Sequence, residues 1–237
     1  MLGVRLTGSH RVPPLRGASR LRSGSYVSAR AEIMARIDTA LGAGGAVPEV
    51  PRDYHQAGSG PAAGDESVVA RFCDRAAEYR ATVRRVAVGG LEDAVIEACR
   101  EQGARRIAVP PGAPHHLPGL ELVIDDPPIS ARGLDQVDGV LTGCALAIAE
   151  TGTIVLDGGE RSGRRALTLV PDFHVCLVEA GRIHASVPDA IAALAPAAAA
   201  GLPLTFVSGP SATSDIELER VEGVHGPRTL VILVLEA

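Results

Sequence analysis

The chain predicts an α/β fold, a three-layer α/β/α sandwich around a mixed, mainly parallel sheet. Two observations carry this. From Asp65 onward, short aliphatic runs alternate with amphipathic segments of ten or more residues, the spacing that parallel pairing requires. The second half then carries several strand-like runs with one late helix, which adds antiparallel pairs to the sheet.

The elements follow in order. The opening MLGVRLTGSHRVPPLRGASRLRSGSY has the Arg and Ser content of a transit peptide, but it lacks a periodic apolar stripe or a secretory core. Pro13 and Pro14 would break an amphipathic helix. Residues 1–26 are therefore expected to be a disordered extension, or an over-extended start with translation beginning near Val27. A helix follows, capped by Ser28, striped by Ile33, Ile37 and Leu41 and ended by Gly42. Residues 42–64, rich in Gly, Ala and Pro, read as a loop inside one domain spanning 27–237. Next come a helix through ESVVARFCDRAAEY, a strand RRVAV, a helix LEDAVIEACREQG, and strands RRIAV and ELVID. CALAIA, TIVLD, FHVCLVE, LTFVSG and TLVILVL read as further strands, and VPDAIAAL as the late helix, with the alanines 197–200 as its tail or a loop.

Composition excludes several functions. All 23 basic residues are Arg, so neither a Schiff-base lysine nor a Walker-type phosphate loop is possible. Residues 1–30 hold six of these arginines and no acid, so the rest of the chain carries −11. With three Phe, three Tyr and no Trp, the acidic body lacks the basic face and stacking platforms of a nucleic-acid binder. Its longest aliphatic run, Leu230 to Leu235, is far short of a membrane span. Cys73, Cys99, Cys144 and Cys176 form no CxxC pair and read as buried free thiols of a reducing cytoplasm, not as metal ligands.

Chemistry concentrates in four polar segments beside apolar strands. In CALAIAETGTIVLDGGE, Glu150, Thr151, Gly152 and Thr153 interrupt two aliphatic runs. The set lacks the Asn-Gly or Asp-Gly of a tight hairpin and is better suited to holding a ligand. A carboxylate there is either bonded by nearby hydroxyls and N–H groups or faces a cavity. In LTFVSGPSATSDIE, a strand leads into Ser208, Gly209 and Ser211, and Thr213, Ser214 and Asp215 can cap a helix starting near Ile216, whose N–H groups would bind a carboxylate or phosphate. A capped junction with nothing bound is the plain alternative. LVPDFH holds His174, which is a satisfied core group or a ligand contact. GVHGP holds His225, in a turn. His115 and His116 sit among prolines and read as loop residues.

The early SARAEIMARI and, following it along the chain, LTGCALAIAETGTIVL, LTLVPDFHVCLV and GPSATSDIELERVEGVHGP together resemble the lactate utilisation protein C family, whose shared unit is the LUD domain. The resemblance implies a fold like that of the glucosamine-6-phosphate deaminase, ribose-5-phosphate isomerase and coenzyme A transferase group. It implies a cytoplasmic part in an L-lactate oxidation system whose iron–sulfur subunits would be partners. This chain would be the cluster-free component, without cofactor or metal, since it shows neither cluster spacing nor a flavin or nicotinamide motif. Two other implied roles are an acyl- or CoA-transfer enzyme with Glu150 as nucleophile and a non-catalytic assembly module. On the first reading, Glu150 faces a small-anion pocket shared with the Ser208–Asp215 loop, acting as acid, base or hydroxyl acceptor while the loop holds the ligand's carboxylate.

Overall fold

Aliphatic residues fill nearly every position of TLVILVLE near the carboxyl end, the pattern of a parallel strand covered on both faces. The computed structural model describes residues 28–42, 49–58, 60–113, 116–214, 220–222 and 226–236, with no side chains for 212–214 and 220–222. The expected extension 1–26 lies outside them. Two units result, residues 1–52 and 53–237, divided within the expected 42–64 loop.

The first unit holds α1 (Ala29–Leu41). As expected, Ser28 Oγ accepts from the Ala31 N–H and Gly42, at φ +64°, ends the helix. The stripe of Ile33, Ile37 and Leu41 is exposed throughout.

The second unit runs α2 (Glu66–Glu78), β1 (Thr82–Ala87), α3 (Leu91–Glu101), β2 (Arg106–Val109), β3 (Glu121–Ile124), the single turn α4 (Ala131–Leu134), β4 (Gly139–Gly143), β5 (Leu146–Ile148), β6 (Thr153–Leu156), β7 (Phe173–Glu179), β8 (Ile183–His184), α5 (Val187–Ala199), β9 (Thr205–Val207), β10 (Ala212–Ser214), β11 (Arg220–Glu222) and β12 (Thr229–Glu236). Six strands form a wholly parallel sheet in the order β1-β12-β7-β4-β2-β3. A separate four-stranded sheet, β8-β5-β6-β9, pairs β6 antiparallel with β5 and β9 and β5 parallel with β8, and β10 and β11 form an antiparallel pair apart from both. The α/β class and the mainly parallel sheet are as expected, but the antiparallel pairs lie outside the large sheet.

Alternation in β12 and β7 shows how the layers pack. Val231 and Leu233, with Phe173 and Val175, face α3 through Val95, Ala98 and Cys99. Leu230, Ile232 and Val234, with Cys176 and Val178, face α2 and the inner side of the small sheet, including Phe72, Ala147 and Ile154. The small sheet's outer side, Leu146, Ile148 and Val155, is covered by Ala190 and Leu194 of α5. The order is α3, large sheet, α2 beside small sheet, then α5.

One expectation is corrected, one is decided between its two alternatives, and one strand is added. GVLTG, which sequence reasoning missed, forms β4 and lies inside the large sheet between β7 and β2. Gly139 is required there because a Cβ would come within 2.6 Å of the Phe173 ring. The late helix continues through Pro196 to Ala199, making the alanines its tail. Thr213 and Ser214 do not cap a helix: they belong to β10, which pairs antiparallel with β11, and Ile216 lies outside the described residues.

Candidate functional site

His174 is the second residue of β7, beside Val140 of β4 and Leu230 of β12. That register buries it to 2% exposure on the face toward the small sheet. Its Nε2 lies 2.8 Å from Thr142 Oγ1. Burial first, and then the positive charge of Arg165, push its pKa from 6.5 down to about 3, so the ring is neutral near pH 7. Arg165 opens a single 3₁₀ turn, Arg165–Thr168, just before β7, and its Nη1 donates to the carbonyl and hydroxyl oxygens of Thr168, each at 3.1 Å.

Between these residues and β9 lies a cavity of about 450 Å³, within the range of small-ligand sites. The far wall is Thr205 to Ser211, with Gly226 and Pro227 closing one side. The Ser211 N–H donates to the Pro227 carbonyl at 2.7 Å, tying the two segments together. Gly209, at φ +82°, has no room for a side chain against the backbone of Tyr79. His174, Ser208, Gly209 and Ser211 thus line one cavity. It sits at the amino ends of β7 and β12, not beyond the carboxyl ends of the large sheet, where open α/β sheets generally bind ligands. The small sheet makes the difference by bringing the carboxyl end of β9 over them.

Glu150 is placed elsewhere. β5 and β6 are antiparallel, with Ile148 opposite Thr153, so residues 149–152 form a hairpin loop and turn the chain after all. Gly152 makes the turn at φ +61° and presses on α2, where a Cβ would stand 2.5 Å from the Ala76 nitrogen. Glu150 is exposed and accepts the Val187 N–H at 3.1 Å, at the start of α5, where a carboxylate offsets the helix dipole. It is not among the lining residues of the cavity. The Thr153 hydroxyl, in contrast, lies 2.7 Å from both Thr151 Oγ1 and Ser208 Oγ, so a chain of hydroxyls joins the hairpin to the cavity wall. Thr213 lies on β10, while Asp215, His225 and His115 fall outside the described residues.

The carboxyl end of the large sheet holds a second space. A crevice of about 110 Å³ opens where the chain leaves β2 and β4, beside a groove of about 770 Å³ under α5. Glu179 at its edge accepts from both Arg182 and Arg161, which hold its carboxyl below the ordinary range. Cys144, Cys176 and Cys99 are buried, Cys73 half-buried, and all four are free. Bonding to Cys144, and then burial, push the Cys176 thiol up, which suits inert core thiols. Among the described residues no three His, Cys, Asp or Glu side chains group as a metal site, and no helix is long and apolar enough to cross a membrane.

Arg165, Thr168 and Thr142 were missed by sequence reasoning. The arginine directly preceding a strand that carries a histidine was the available signal, though proximity across strands is not written in it.

A parallel α/β sheet doubled by a small mixed sheet, with an arginine- and histidine-lined cavity between them, defines the class. The LUD domain family is matched over residues 131–235. The lactate utilization protein C of Deinococcus radiodurans is 48% identical over 71% of this chain and 79% of its own length, and that of Shouchella clausii 28% over 65% and 72%. A crystal structure of a DUF162 family protein from Deinococcus radiodurans superposes with a TM-score of 0.64 at 40% identity, covering 72% of this chain and 97% of that one. The chain belongs to the lactate utilization protein C family of LUD-domain proteins.

Proposed function

We propose that this protein acts in lactate utilization as a cytoplasmic, cluster-free component of an L-lactate oxidation system, working with iron–sulfur subunits, and that residues 27–237 carry the activity. The observation that carries the reading is the 48% identity to a lactate utilization protein C across 79% of that relative. The four free cysteines, none in CxxC spacing, suit a partner of cluster-bearing subunits better than a cluster carrier. Glu150 at the start of α5 gives an acyl-transfer enzyme no nucleophile in a cavity, so that role is not favoured. The test is deletion of the gene and growth on L-lactate as sole carbon source. Growth should fail and return with either the full chain or a chain starting at Val27. Normal growth of the deletion strain, in the absence of a paralogue, overturns the assignment. Affinity-tagged protein from lactate-grown cells should retain iron-containing partners, and recovery of the chain alone removes the partner part.

A further inference from the structure

The cavity between β9 and the start of β7 combines three features that together select a ligand. First, among its described lining residues Arg165 is the one ionised side chain, and no carboxylate faces it. Thr168 occupies Nη1, which leaves Nε and Nη2 without a partner among the described residues, in the fork geometry that grips a carboxylate. Second, His174 is buried to 2% exposure and lines the cavity, with Nε2 engaged by Thr142 and Nδ1 without a partner among the described residues. A buried ring nitrogen of that kind is completed by whatever the cavity holds. Third, the remaining wall is divided between the hydroxyls of Thr205 and Ser208 and the carbon surfaces of Phe206, Pro210, Pro227 and Leu230.

One cation without a countercharge among the described lining residues calls for one negative charge on the ligand. A phosphate dianion or a dicarboxylate would bring a second charge that no described lining residue neutralises, and the Ser211 N–H that could have helped is spent on Pro227. A neutral imidazole beside the cation calls for a hydroxyl or carbonyl next to the carboxylate, and the carbon surfaces accept a short alkyl end. We propose that this cavity binds a short 2-hydroxy- or 2-oxo-monocarboxylate, its carboxylate held by Arg165 and its 2-oxygen by Nδ1 of His174. The choice of acid rests on the lactate-utilization reading, while the site itself rests on the residues. A hydroxyl satisfies either tautomer of His174, whereas a carbonyl oxygen requires hydrogen on Nδ1, with Thr142 then donating to Nε2.

The test is calorimetric titration of the purified full-length protein with L-lactate, pyruvate, propionate and inorganic phosphate at concentrations on the order of 10 mM. L-lactate and pyruvate should bind, and propionate, which lacks the 2-oxygen, about tenfold more weakly. Arg165→Gln, at an exposed position, should weaken all three acids about tenfold or more without changing the circular dichroism spectrum. His174→Gln keeps a partner for Thr142 and should weaken L-lactate to the level of propionate while leaving propionate unchanged. If that variant fails to fold, the carbon-bound proton signals of His174 in the native protein should shift on adding L-lactate and not on adding propionate. Phosphate binding more tightly than L-lactate, absence of carboxylate binding, or binding indifferent to Arg165→Gln each overturns the inference. A growth defect without carboxylate binding removes this site and leaves the pathway role; binding with normal growth of the deletion strain does the reverse.

Discussion

Protonating His174 should unfold this protein from within. The ring's pKa is about 3 in the fold against an ordinary 6.5, so the unfolded chain takes up a proton first as the pH falls. A base whose folded pKa is depressed contributes stability in full above 6.5, and that stability is lost progressively as the pH drops toward 3. Each unit well inside that window is worth about 1.4 kcal/mol and less at its upper edge, so lowering the pH from 6.5 to about 4.5 should remove about 2 kcal/mol through this side chain alone. That is a large part of the 5–15 kcal/mol typical of a domain. Carboxylates such as Asp138, held below its ordinary value by the backbone N–H groups of Arg106 and Arg105, also lose stability on acidification, so the histidine must be isolated by difference. His174→Gln retains a partner for Thr142 and cannot titrate. Urea unfolding followed by circular dichroism at several pH values between about 7 and 4.5 should show the wild type losing about 2 kcal/mol more than the variant. Parallel pH dependences would refute the burial-driven shift.

Three other substitutions probe the scaffold. Gly152→Ala forces a side chain at φ +61° into the α2 backbone and should cost about 2–4 kcal/mol, measured as a lowered urea midpoint; an unchanged midpoint would mean that the hairpin yields without strain. Asp125→Ala removes a buried carboxylate that holds Arg164 through both oxygens and also accepts the Ile129 N–H. Because Arg164 remains 37% exposed and can turn to water, the loss should be about 2–3 kcal/mol rather than that of a fully buried pair. Glu150→Gln keeps an acceptor at the start of α5 and should cost less than about 1 kcal/mol while leaving L-lactate titrations unchanged; loss of binding would return Glu150 to the site.

The amino-acid order alone determined the alternation of strands and helices, the cap Ser28 and the terminus Gly42, because these depend on neighbours within a few residues. It also pointed to His174, Ser208, Gly209 and Ser211, polar groups set beside aliphatic strands. Only the tertiary structure decided that β4 is a central strand, since Gly139 is explained by the Phe173 ring across the sheet and not by its own neighbours. Likewise, only pairing across the chain turned Glu150 toward Val187 and sent Thr153 to Ser208, 55 residues away. Arg165 became part of the site because the small sheet covers the amino ends of the large one. Local propensity acts over one or two turns of chain, whereas a cavity is made by the register and stacking of sheets, which depend on how much apolar surface each arrangement buries.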